Sequence, residues 1–124
     1  MMLLGLAAVA TMQAYGPVCL RDGDSVSGEF RYVESRHPNG TNLRYGFVKT
    51  VDPVCVLGEA GATGEPYVVQ GRWVQISWSD EMIGDRPFPG DQVEIAADCF
   101  EPMTAWHLGD IICINARLIS REPM

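Results

Sequence analysis

At 124 residues the chain has room for one hydrophobic core and not for two. Its 47% apolar and 20% charged content excludes wholesale disorder and a collagen-like chain. Sixteen acidic against nine basic side chains leave a net charge of -7, which repels phosphate backbones and anionic lipid, so no nucleic acid partner is expected.

The first 20 residues carry no charged side chain, and Leu3 to Ala10 form an apolar run too short to span a bilayer. Residues 1–14 are therefore predicted to be a signal peptide, cleaved after Ala10, where Ala8 completes an A-x-A pattern, or after Ala14, where bulky Met12 sits at minus three. No Lys or Arg precedes the run, so the terminal amine supplies the positive charge; the alternative is a buried N-terminal segment of a cytosolic protein. Export predicts a periplasmic or secreted domain over residues 15–124, with no transmembrane helix in the mature chain. Cys19, Cys55, Cys99 and Cys113 form an even set beyond the signal, which in an oxidising compartment implies two disulfides with three possible connectivities. There is no C-x-x-C pair for a zinc knuckle or thioredoxin-type motif, and Gly16-Pro17-Val18 before Cys19 is not a lipoprotein box.

Short strand-like runs follow, separated by Gly, Pro, Asn and Asp, and no stretch has the apolar spacing of a long helix. Asp24 to Glu34 alternates, with Val26, Gly28, Phe30 and Tyr32 on one side. His37-Pro38-Asn39-Gly40-Thr41 is a turn, because Asn-Gly favours positive φ. Leu43, Tyr45 and Phe47 then form the next apolar side, opposite Arg44, Gly46 and Val48. Val54 to Leu57 extends that strand after a kink at Pro53, since proline cannot donate to a central ladder. Gly58 to Pro66 is a flexible loop that lacks the G-K-[ST] ending of a phosphate cradle. In Arg72 to Ser79, Val74, Ile76 and Trp78 point one way, which leaves Trp73 and Gln75 on the polar side. Val93, Ile95 and Ala97 mark a fourth strand. From Asp110 to Ser120, Ile112, Ile114, Ala116 and Leu118 are the expected inner face of the fifth, with Cys113, Asn115 and Arg117 opposite.

Five such runs in about 100 residues suit an all-β, OB-like Greek-key barrel, with a β-sandwich as the alternative. Cys99 and Cys113 centre on Trp106, within the last connection, so they are natural hairpin partners. Simple alternation puts them on opposite faces, so this bridge requires a bulge or an irregular strand end. Cys19 and Cys55 then pair by default.

The strand start at Val26 to Gly28, Asp52-Pro53-Val54-Cys55-Val56 after an aromatic strand, and Thr104-Ala105-Trp106-His107 before the last strand resemble domain-of-unknown-function family 4431, small bacterial envelope proteins. The chain departs from that family's tendency toward a His pair by having Trp106-His107. The resemblance implies an envelope location and a small β-fold and carries over no catalytic residue.

For chemistry the chain has two histidines, His37 and His107, and neither a G-x-S-x-G elbow nor an H-E-x-x-H motif. His37 beside Pro38 reads as a turn residue. His107 with Cys113 would be a base and nucleophile only if that cysteine were free. Asp22, Gly23, Asp24 and Glu29 lack the spacing of a calcium hand, and Asp80, Glu81 and Asp85 read as a solvated turn, so no metal and no cofactor is expected. Trp73, Trp106 and His107 fall outside the best-ordered apolar faces and are the candidate contact residues. The alternative is that the two tryptophans pack beneath loops as satellite core. The leading expectation is a non-enzymatic envelope domain that recognises or stabilises another protein. A module for a small molecule or oligosaccharide comes next, and a cysteine-dependent enzyme last.

Overall fold

The computed structural model describes residues 19–58, 67–82, 84, 86–104 and 106–123. The expected signal peptide, the body of the Gly58 to Pro66 loop, Asp85 and Ala105 lie outside them. Five strands are present: β1 (Ser25–Arg36), β2 (Asn42–Leu57), β3 (Val68–Trp78), β4 (Gln92–Phe100) and β5 (Ile111–Glu122). A single 3-10 turn, Asp80–Met82, follows β3. The strands close into a barrel in the order β1-β2-β3-β5-β4. Every neighbouring pair is antiparallel except β3 with β5. This is the small OB-like barrel expected from the strand count, and closure leaves no edge strand open.

Local chemistry explains the joints. In the β1–β2 turn the amide of His37 donates to the Thr41 carbonyl and the amide of Gly40 to the His37 carbonyl, both at 2.9 Å. Gly40 supplies φ +86°, and the amide of Thr41 donates to Asn39 Oδ1 at 3.0 Å. β2 does continue past Pro53 with a kink: its register on β3 jumps from Lys49 opposite Trp73 to Val54 opposite Gly71. The Thr50 hydroxyl donates to the Asp52 carbonyl at 2.6 Å inside that irregularity.

Val26, Phe30, Val48, Val74, Ile76, Ile95 and Ile111 fill the barrel, with Phe30 fully buried at its centre. Phe30 meets Tyr32 edge-on at 4.9 Å and Trp78 at 5.9 Å between centroids.

Two faces differ from their sequence expectation. In β2 the barrel side is Gly46 and Val48, while Tyr45 and Phe47 point outward. A Cβ on Gly46 would stand 3.2 Å from the Phe30 ring, so the glycine makes room for the largest core side chain. Phe47 is nevertheless buried, against a layer outside the barrel.

In β5 the inner residues are Ile111, Cys113 and Ala116, and not Ile112 and Ile114. The phase changes at Asn115, whose φ is +54°. From Cys113 to Ala116 β5 takes three steps where β3 takes two, from Ile76 to Trp78. It likewise takes three from Ile114 to Arg117 where β4 takes two, from Asp98 to Ala96. This is a bulge on β5, with its extra residue in the left-handed region that asparagine tolerates. It restores Ala116 and half-buried Leu118 to the inner side while leaving Cys113 inside as well.

The two disulfides are Cys99–Cys113 and Cys19–Cys55. Cys99 lies directly opposite Cys113 in the β4–β5 ladder, and the irregularity their pairing demanded is the Asn115 bulge. Cys19–Cys55 fastens the N-terminal segment to the far end of β2, reinforced by the Leu20 amide donating to the Cys55 carbonyl at 2.7 Å.

Candidate functional site

The register places Phe47, Gln75 and Ile112 side by side on the outer surface of β2, β3 and β5. All three are buried: Phe47 packs against Trp73, and Trp106, Leu108 and Gly109 of the β4–β5 connection lie over Gln75. Gln75 is the fastening. Its Oε1 accepts from the amides of Leu108 at 2.5 Å and Gly109 at 3.0 Å, and its Nε2 donates to the Trp106 carbonyl at 2.9 Å. One amide side chain thereby satisfies three backbone groups of a loop that has no ladder of its own. Gly109 permits the close approach: a Cβ there would sit 2.9 Å from the Gln75 amide nitrogen and the Trp73 carbonyl oxygen.

Trp106 reaches from this loop to the β1–β2 turn, where its ring stacks on His37 at 3.8 Å with 33° between planes. The His37 Nε2 and the Tyr45 hydroxyl share a hydrogen bond of 2.7 Å. His37 is thus the turn residue expected and also a buried link between two loops. His107 shapes its own loop. Its Nδ1 accepts from the amides of Met103 at 2.9 Å and Thr104 at 3.3 Å, which leaves the ring proton on Nε2.

Between these loops, at the end of the β2–β3–β5 surface, lies a groove of about 450 Å³. That volume falls in the roughly 300–1,000 Å³ range of small-molecule sites. Tyr32, Tyr45, Trp78 and Trp106 supply ring surface, and His107, Arg44 and Arg86 supply donors. The Arg44 guanidinium lies 3.8 Å above the Tyr32 ring.

Of the three residues singled out from the sequence, Trp106 and His107 share this groove and Trp73 does not line it. Trp73 packs edge-on against Phe47 at 5.9 Å, with Lys49 Nζ 5.3 Å from its ring, so it is half-buried satellite core. Trp106 remains 45% exposed. Gln75, His37, Tyr45, Arg44 and Arg86 were not recognisable as site residues. Gln75 and Arg44 alternate like solvent-facing strand residues, and His37 and Arg86 lie in connections whose neighbours only the fold decides.

The acidic groups have local explanations. Asp24 Oδ2 accepts from the Arg21 amide at 2.8 Å in the turn before β1. Glu29 pairs with Arg31 at 2.7 Å, and that hydrogen bond holds its carboxyl below the usual carboxylate range and raises Arg31 in turn. Among the described residues no three His, Cys, Asp or Glu side chains gather as metal ligands, and no helix is long and apolar enough to cross a membrane. Compared with known protein families, curated proteins and solved structures, the chain finds no match, so its function must be argued from the groove itself.

Proposed function

We propose that this domain is a non-enzymatic binding module of an extracytoplasmic compartment, and that it holds a small molecule or short oligosaccharide in the groove between the β1–β2 turn and the β4–β5 loop. The carrying observation is the convergence of four aromatic side chains with His107, Arg44 and Arg86 on one concave surface. OB-type barrels commonly bind ligands on this strand face between these two loops, which adds support by analogy of fold. Two disulfides suit an oxidising location, in keeping with the export expected from the first residues and with the envelope resemblance. All four sulfurs are bonded in pairs, which removes the thiolate that a cysteine-dependent enzyme needs.

A second reading, recognition of a protein, draws on one observation: Met103, Trp106 and Leu108 are all large apolar side chains exposed on the β4–β5 loop. The two readings separate by titrating mono- and oligosaccharides and short peptides into isotopically labelled protein. Groove binding moves the amide resonances of Ser77, Trp106 and Ile112. Shifts confined to Met103 and Leu108, with peptides alone active, would favour protein recognition, and a panel that moves none of them sinks the groove reading.

A further inference from the structure

We infer that the groove selects a short saccharide bearing a carboxylate, a conclusion that rests on the ligand-binding reading above. The chain carries 16 acidic and 9 basic side chains, yet the described residues lining the groove include Arg44, Arg86 and His107 and no Asp or Glu. Among the described residues the ion pairs are Arg31 with Glu29 and Arg121 with Asp91, so neither groove arginine has a carboxylate partner there. Glu34 is the cross-strand neighbour of Arg44 and forms no ion pair with it.

Arg44 is held in place by Tyr32, with its guanidinium carbon 3.8 Å from the ring centroid, and a guanidinium edge matches a planar two-oxygen anion through parallel hydrogen bonds. Tyr45, Trp78 and Trp106 offer flat apolar surface on which the C–H face of a sugar ring can lie. The overall charge of -7 sets the scale of the ligand. A long polyanion meets repulsion from the whole surface, whereas a short ligand inside the groove feels mainly the nearest charges at a Debye length of about 8 Å.

The test titrates trigalacturonic acid, its methyl ester and a triglutamate peptide into the disulfide-bonded protein, followed by tryptophan fluorescence and calorimetry. The acid is expected to bind, the ester at least tenfold more weakly, and Arg44→Gln and Arg86→Gln each to weaken the acid about tenfold. Arg86 is exposed, so R86Q should keep the wild-type melting temperature, and an unchanged melting temperature separates lost affinity from misfolding. Equal affinity for acid and ester overturns the charge selection while leaving the ligand-binding reading in place. Binding of the peptide alone overturns the saccharide class and favours protein recognition. If no probe binds at millimolar concentration the inference is wrong, and the wider panel described above decides separately whether the groove binds anything.

Discussion

The two sides of the β2–β3 ladder are held by different physics. Inside, Val48, Val74 and Ile76 meet Phe30 in a dry, closed barrel whose stability comes from apolar area and close packing. Outside, Phe47 and Ile112 are just as well buried, and the loop beside them is fastened by the three hydrogen bonds of Gln75, by Asp110 on the Trp73 backbone and by the stack on His37. The expectation is that the hydrogen-bonded outer layer opens at lower cost than the packed barrel. The groove draws on both: Tyr32 and Trp78 reach it from the barrel side, where they pack against the core, and Tyr45 and Trp106 from the outer side.

The largest effect that separates the two layers should come from Phe30→Ala, which removes the central core side chain and is expected to cost about 3–5 kcal/mol in denaturant unfolding. Replacing Cys99 and Cys113 together by Ala should cost about 3 kcal/mol, since the bridge spans a sequence separation of 14 and closes the base of the β4–β5 loop. If the β4–β5 loop were rigid by itself, this change would leave amide exchange at Leu108 unaltered; faster exchange is expected there.

Gln75→Leu sharpens the contrast further. It keeps bulk on the outer face but leaves three loop groups unpaired, for an expected loss of about 2 kcal/mol. Exchange protection should fall at Leu108 and Gly109 and persist at Val74 and Ile76. Equal loss at all four positions would mean that the layers unfold as one. Trp106→Ala should cost only about 1 kcal/mol, because it removes a stack on a half-exposed ring, while Trp73→Ala should cost more through Phe47. Comparison of the two melting temperatures tests whether Trp73 is satellite core and Trp106 a groove residue.

The smallest effect concerns the solvent-facing pair Glu29 and Arg31 beside Trp73. Because the folded-state carboxyl of Glu29 is held low, whatever the pair contributes is present above the ordinary carboxylate range and fades as pH falls through the depressed value. Carboxyl NMR titration of Arg31→Gln should return Glu29 toward its ordinary range while the melting temperature stays near wild type, as suits an exposed pair.

Strand number, the Asn39-Gly40 turn, the kink at Pro53 and the need for an irregularity between Cys99 and Cys113 were legible in the sequence, because each depends on local backbone chemistry or on counting along the chain. Which face of β2 and β5 turns inward was not. Alternation identifies the core side only when the other side is wet, and here Phe47 and Ile112 are covered from outside while Gly46 lies inside against Phe30. The groove lay further from view. Trp106 and His107 stood out as aromatic residues in a loop, but Gln75 looks like any polar strand residue, and Arg44 and Arg86, 42 positions apart, line one groove only in the folded barrel. Local chemistry determined the elements; the tertiary structure decided which of their two sides became core, cover or site, because burial depends on what comes to lie on top.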